Sequence, residues 1–142
     1  MKRQKAIAWV LSAGAALLHS PITHAGSFCQ ILTHGPNFDG KVVHFRSHYS
    51  TAPEDFPGVF YDSHCRGSIE DITPDNAADT TVDDFSRAAL ADGLPHSFAV
   101  DISGKFRWNR RWKPESALLS VVKQQPHGQL QITHVWSFKT IK

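Results

Sequence analysis

Residues 38–49 read Phe-Asp-Gly-Lys-Val-Val-His-Phe-Arg-Ser-His-Tyr, and their pattern decides the fold class. The Asp-Gly pair is typical of a turn, because glycine adopts positive φ angles without steric cost. After the turn, Val43, Phe45 and Tyr49 alternate with polar side chains. A period of two is typical of a half-buried β-strand. The sequence therefore predicts a strand over residues 41–49 that puts one apolar face into the core.

Several later segments are also predicted as strands, because they are rich in alternating β-branched and aromatic residues. A hairpin through a loop at residues 53–57 is expected to join the first strand to the second. Gly104 suggests a β-bulge within the predicted strand over residues 98–108. The predicted strands cover residues 58–62, 68–73, 98–108, 117–123 and 130–141.

Two short helices complete the predicted order of elements. Ser27 is expected to cap a helix over residues 28–34, which Gly35 and the following proline would end. A second helix is expected over residues 82–91, with Thr80 or Thr81 as its cap. This order predicts a mainly β domain, a small barrel of five or six strands that leaves no exposed sheet edge. An open α+β sheet is the alternative.

The first 25 residues have the organisation of a cleavable signal peptide. Three basic residues lie within residues 1–5, and residues 6–18 carry no charge. A membrane-spanning helix needs about 20 apolar residues. The apolar segment is shorter than this, so it is predicted to be a targeting signal and not an anchor.

Thr23 and Ala25 occupy the positions that signal peptidase reads if it cuts before Gly26. Cleavage there would leave a single domain over residues 26–142. We therefore expect a periplasmic or secreted protein whose mature chain has no membrane span.

The predicted cleavage also changes the charge of the protein. The full chain has a net charge of +2, but without its three leader cations it has twelve Lys and Arg against thirteen Asp and Glu, which is −1. A nucleic-acid partner is therefore not expected. The charges are unevenly spread, since residues 54–92 hold ten acids and residues 93–142 hold eight Lys and Arg against two acids.

Cys29 and Cys65 both follow the predicted leader, so they would meet an oxidising compartment. The leading interpretation is one structural disulfide, which would close about 37 residues and stabilise the fold by roughly 3 to 4 kcal/mol. The alternatives are a metal pair or a redox site, although the Cys-x-x-Cys spacing usual for such sites is absent.

Several short motifs together resemble those of small, uncharacterised exported bacterial proteins. In that group a Gly-Lys-x-Val strand opens an OB-like β-barrel, two cysteines bracket the first hairpin, and a Gly-x-Phe marks a later strand. The resemblance implies an OB-like barrel fold and carries no catalytic residues. The matching elements here are Cys29, Ile31-Leu32, residues 38–43, Tyr61-Asp62-x-x-Cys65 and Val100-x-Ile102-x-Gly104-Lys105-Phe106.

The densest candidate site is a basic, aromatic stretch at residues 105–113. Cations interleaved with aromatic rings are suited to stacking and to binding phosphate or carboxylate groups. The alternative is that Phe106 and Trp108 face the core while the cations point to water. The predicted ligand-binding residues are Lys105, Arg107, Trp108, Arg110, Arg111, Trp112 and Lys113.

Histidines and acids are weaker candidates for a site. His44 and His48 would share one strand face, but about 13 Å apart, too far to bind one metal together. A cluster of oxygen ligands also lacks the spacing of a known calcium loop, and its members are Asp75, Asn76, Asp79, Asp83 and Asp84. We therefore predict no metal site and no cofactor.

The sequence contains no nucleophile elbow, no His-Glu-x-x-His and no phosphate-binding glycine loop. The leading hypothesis is a non-catalytic binding module that engages an envelope protein, an anionic ligand or a carbohydrate through residues 105–113. The alternatives are a small exported hydrolase that uses histidine or a metal, and a structural subunit of an envelope or secreted complex.

Overall fold

A computed structural model describes residues 23–51, 58–93, 95–111 and 125–142. The described elements are mostly strands. In chain order they are β1 (Thr23–Ala25), α1 (Phe28–Thr33), α2 (Gly35–Phe38), β2 (Val42–Ser50), β3 (Val59–Tyr61), β4 (Ile69–Asp71), α3 (Thr80–Leu90), a 3-10 turn (Ala91–Gly93), β5 (Ser97–Trp108) and β6 (Gly128–Ile141). The predicted loop at 53–57, the predicted strand at 117–123 and most of the predicted leader lie outside these ranges.

Five of the strands close into a barrel. They follow one another in the order β2-β3-β4-β6-β5, and β5 pairs again with β2. The β4–β6 pair is parallel and the other four pairs of the barrel are antiparallel. Helix α3 connects β4 to β5 along the chain. The predicted mainly β, OB-like barrel is confirmed, and the open-sheet alternative is wrong because the β2–β5 ladder closes the sheet.

Strand β2 has the two faces that its sequence predicts. Val43, Phe45, Ser47 and Tyr49 are buried, while the side chains that alternate with them are partly or fully exposed. The core that they enter is rich in phenylalanine, and Phe85 of α3 packs into it. Burying rings of this size contributes a large share of the stability of a small domain.

The helix termini follow local hydrogen-bonding rules, with two corrections to the predictions. Ser27 caps α1, as predicted, and the structure adds a capping box between Ser27 and Gln30. Gly35, however, does not end the helical segment, because it begins α2 after a break at His34. The cap of α3 is Asp79 and not Thr80 or Thr81, because the Asp79 carboxylate accepts the backbone N–H of Thr81 at 2.8 Å.

The irregularity predicted at Gly104 belongs to its partner strand. The β5–β6 register shifts on either side of Ile102-Ser103, and the extra residues are Thr133 and Trp136 of β6. Gly104 itself stays in the ladder, where a Cβ would lie 2.6 Å from the carbonyl oxygen of Gln131. Glycine is needed there for close backbone approach, while the bulges turn two side chains of β6 outward.

A disulfide joins Cys29 of α1 to Cys65, which follows β3, with their Cα atoms 5.7 Å apart. The predicted pairing is confirmed, and it fastens α1 to the barrel. Within the described ranges, none of the helices has the length and apolar character that a membrane span requires.

Candidate ligand-binding cleft

The first half of the basic stretch continues the alternation of β5. Phe106 is fully buried, and Lys105 and Arg107 on either side of it are exposed. These two cations therefore lie on the outer surface of the barrel because the strand period dictates it.

Trp108 ends β5 and is half-buried against the core. Its ring lies directly on Gly35 at the start of α2, where a Cβ would overlap the indole. The lack of a side chain at residue 35 thus creates the space for Trp108. The ring is a fixed wall of the surface and not a mobile side chain.

Asp39 anchors the chain where it leaves β5. Its carboxylate accepts the backbone N–H of Trp108 at 3.0 Å and the Nη2–H of Arg110 at 3.2 Å. The hydrogen bond from Trp108, followed by that from Arg110, lowers the pKa of Asp39. An ionised Asp39 therefore positions one of the three arginines at this end of the barrel.

A cleft of about 360 Å³ opens between the end of β5 and the start of β6, and we call it the Arg cleft. The turn beside it is held by Asn109, which accepts the N–H of Arg111 at 3.1 Å and donates to the carbonyl of Pro126 at 3.0 Å. The residues that line the Arg cleft are Glu70, Arg107, Trp108, Asn109, Arg110, Arg111, Pro126 and Gln129.

The charge of the Arg cleft is predominantly positive. Its single acid, Glu70, accepts a hydrogen bond from Gln129 at 2.9 Å. Arg107 and Arg111 have no acidic side chain within ion-pair distance in the part of the chain that the structure describes. Two guanidinium groups are therefore available to an anion, beside a third that Asp39 orients. Trp112 and Lys113, also predicted as ligand-binding residues, lie outside the described residues.

A second cluster lies on the outer face of β2, β5 and β6, and sequence reasoning missed it. Its centre is Trp136, which is 61% exposed. The rings of His44 and His134 lie beside the indole, with centroids 5.6 and 4.5 Å from it. We call this cluster, which also includes Arg46 and Asp101, the Trp136 patch.

Two carboxylates hold the histidines of the Trp136 patch. Nε2–H of His44 donates to Asp101 at 2.5 Å, and Nδ1–H of His134 donates to Asp79 at 3.0 Å. Burial acts to raise the pKa of Asp101, but hydrogen bonds from Arg46 and His44 outweigh it, and the pKa lies below its ordinary value. The hydrogen bond from His134, followed by that from Thr81, lowers the pKa of Asp79 to about 2.

The remaining titratable groups do not assemble into a metal centre. Among the residues that the structure describes, no three His, Cys, Asp or Glu side chains come close enough to hold a metal ion. Asp71 is half-buried beside Tyr49, whose hydroxyl donates to it at 3.0 Å. Burial raises the pKa of Asp71, against the opposing effect of hydrogen bonds from Thr73 and Tyr49. These internal hydrogen bonds give Asp71 a structural role in joining β2 to β4.

The two clusters therefore differ in chemistry, one an arginine-lined cleft and the other an exposed indole between two His–Asp pairs. Comparisons of this chain with protein-family models, with curated proteins and with solved structures found no match.

Proposed function

We propose that the protein is an exported, non-catalytic module that binds anionic groups of an envelope ligand in the Arg cleft. The proposal rests on one observation, the convergence of three arginines on a cleft with a fixed aromatic wall. Arginine presents a planar fork of donors that matches carboxylate, phosphate and sulfate oxygens.

The rigidity of the Arg cleft supports this proposal. Trp108 is wedged on Gly35, Asp39 orients Arg110, and Asn109 braces the turn. Walls held in place by such contacts lose little conformational entropy when a ligand binds, so the ordering cost is confined to the exposed side chains of Arg107 and Arg111. Affinity then depends chiefly on the charge-assisted hydrogen bonds that the ligand makes.

The position of the Arg cleft in the barrel gives a fold-level analogy. Barrels with this strand order commonly bind oligosaccharides or oligonucleotides with the loop between their fourth and fifth strands. Here the fourth and fifth barrel strands are β5 and β6, and the segment between them contains Arg110 and Arg111. The low net charge of the mature chain favours an acidic glycan or protein over a nucleic acid.

Export is part of the proposal, and so is membership of the group of small exported bacterial barrel proteins. The disulfide suits an oxidising compartment. Cleavage before Gly26 would also remove β1, whose one strand pairing within the described residues is with residues 42–44 of β2. The five-stranded barrel closes without β1, so the mature domain would keep its architecture.

The test uses the mature protein purified from the exported fraction, whose intact mass reports cleavage before Gly26. Oligogalacturonate and polyphosphate serve as carboxylate and phosphate probes in isothermal titration calorimetry. At least one of them should bind, and added salt should weaken that binding. Replacing both Arg107 and Arg111 with Ala should weaken it at least tenfold, since hydrogen bonds to charged groups contribute about 1.5–3 kcal/mol each.

The matched control replaces Arg87 and Lys142 with Ala, which removes the same charge elsewhere on the surface. This control should keep wild-type affinity. Equal losses in the two double variants would show only a general effect of charge, and the Arg cleft would then not be the binding site. Absence of binding to both probes would also overturn the proposal.

A further inference from the structure

The Trp136 patch combines an exposed, fixed aromatic face with hydrogen-bonding groups at its edge. We propose that it is a separate binding site for the pyranose ring of a sugar. This inference does not depend on anion binding in the Arg cleft.

The indole of Trp136 is held rigidly although most of it is exposed. Its Nε1–H donates to Ser103 Oγ at 3.0 Å, and the edge contact with His134 supports the ring from the side. Trp136 is also one of the two extra residues of the β6 bulges, which places it on the outer surface. A large apolar ring fixed in water is available for stacking with little further loss of entropy.

The groups beside the indole both donate and accept hydrogen bonds. Asp101 accepts from Nε2 of His44, so the uncharged ring has an acceptor lone pair on Nδ1. Arg46 donates to the same carboxylate through Nε, at 2.9 Å. In the described part of the chain, His44 Nδ1 and the two Nη groups of Arg46 have no hydrogen-bond partner, so an acceptor and several donors remain for a ligand.

Shallow cavities adjoin these polar groups on the barrel surface. One, of about 480 Å³, is open to solvent and lies over His44, Arg46 and Asp101. The other, of about 380 Å³, reaches from Arg46 across to Ser137 and Lys139. A ring-shaped ligand on Trp136 would therefore have room to extend past His44 into the first of these cavities.

A sugar fits this arrangement better than an apolar peptide does. A pyranose ring has one face of C–H groups, which stacks on an indole, and a rim of hydroxyls, which both donate and accept hydrogen bonds. An apolar side chain on the same surface would remove water from Arg46 and Asp101 and would offer no hydrogen bonds in its place, which is unfavourable.

The Trp136 patch is spatially distinct from the Arg cleft. Asp101 and Arg107 lie six residues apart on β5, which corresponds to roughly 20 Å along an extended strand. A variant at one site should therefore leave the other intact, and the two proposals can fail separately.

The experiment applies the mature wild-type protein to a glycan array that displays neutral hexose and N-acetylhexosamine oligosaccharides, without uronic acids that the Arg cleft would bind, and measures the tightest ligand by calorimetry. Trp136→Ala should weaken that binding at least tenfold, because the stacking face is lost. Trp136→Phe should retain part of the affinity, and His44→Ala should weaken binding severalfold through the loss of an acceptor.

Two controls separate this site from a change in folding and from the Arg cleft. Leu90→Ala removes another highly exposed apolar side chain, on α3, and should leave glycan binding unchanged. The Arg107→Ala, Arg111→Ala double variant should also retain it. The proposal is overturned if no glycan binds, if Trp136→Ala binds as the wild type does, or if a peptide is the only ligand that depends on Trp136.

Discussion

The Arg cleft and the Trp136 patch lie on one barrel but are built in different ways. The described arginines of the cleft come from one short stretch, residues 107–111, at the end of a strand. The Trp136 patch brings together side chains from β2, β5 and β6 that are up to 92 positions apart in sequence. A local concentration of one chemistry is visible in a sequence, whereas a site assembled across strands depends on register.

The two sites also have different structural supports. The Arg cleft depends on α2, through the contact of Gly35 with Trp108 and the ion pair of Asp39 with Arg110. The Trp136 patch rests on the long β2–β5 and β5–β6 ladders. Changes near the helices should therefore disturb the cleft first, while changes at the bulge or at the start of α3 should disturb the patch.

The largest expected effect comes from replacing Cys29 and Cys65 together with Ser. Loss of the bridge should reduce the free energy of unfolding by roughly 3 to 4 kcal/mol, because the unfolded chain gains conformational freedom. Denaturant unfolding measures this loss. Hydrogen exchange should rise more in α1 and α2 than in the β5–β6 ladder, since the bridge fastens α1. Uniform acceleration across both regions would contradict the separate supports that we infer.

Gly35→Ala tests the support of the Arg cleft directly. The new methyl group would overlap the Trp108 ring, and overpacking of this kind destabilises proteins by about 1–3 kcal/mol. Thermal unfolding should show this loss, and calorimetry should show weaker binding of an anionic probe with unchanged glycan binding at Trp136.

Gly26→Ala is the matched control, because a Cβ there would lie at ordinary contact distance, 3.6 Å from its nearest neighbour. It should change neither stability nor the binding of the anionic probe appreciably. If Gly35→Ala behaves like this control, Trp108 does not need the space above Gly35.

The contrast between the two sites also explains what could be predicted from sequence. The strands β2, β5 and β6 could be predicted because alternation with period two indicates which face of a strand is buried. The disulfide between Cys29 and Cys65 could be predicted because two cysteines allow only one intramolecular pairing. The same alternation gave the alternative that Phe106 faces the core while Lys105 and Arg107 point to water, and the structure has these three side chains in that arrangement. The Trp136 patch was not predicted from the sequence. A β-bulge reverses the sheet face to which each later residue of the strand points, and the bulges of β6 have no recognisable sequence signal.

Helix caps show a similar limit. Asp79, Thr80 and Thr81 are all suitable capping residues, so the local sequence did not select among them. The choice depends on tertiary contacts. The Asp79 carboxylate also accepts from His134, and the Thr81 hydroxyl accepts the backbone N–H of Val135 at 2.9 Å. The start of α3 is therefore fixed by strand β6, which is more than fifty residues away.

The smallest expected effect concerns pH and the support of the Trp136 patch by Asp79. The pKa of Asp79 is about 2 in the folded protein, below its ordinary value of 3.8. A lowered pKa means that the ionised carboxylate stabilises the fold above pH 4, and that this contribution is lost as the pH falls from about 4 to about 2. In Asp79→Asn the cap is retained, because Asn is also a good N-cap, but the charge is gone.

Denaturant unfolding of the wild type and Asp79→Asn at several pH values measures this contribution. The wild type should be the more stable protein at pH 6, and its advantage should shrink toward pH 2, while acids other than Asp79 affect both proteins alike. The NMR resonance of the Trp136 indole N–H should shift further in the wild type than in Asp79→Asn over the same range, because only the wild type loses the ionised partner of His134, whereas Asp101 is present in both proteins. Parallel pH curves for the two proteins would mean that the Asp79–His134 contact does not stabilise the fold, and the Trp136 patch would then rely on the β2–β5 and β5–β6 ladders without support from α3.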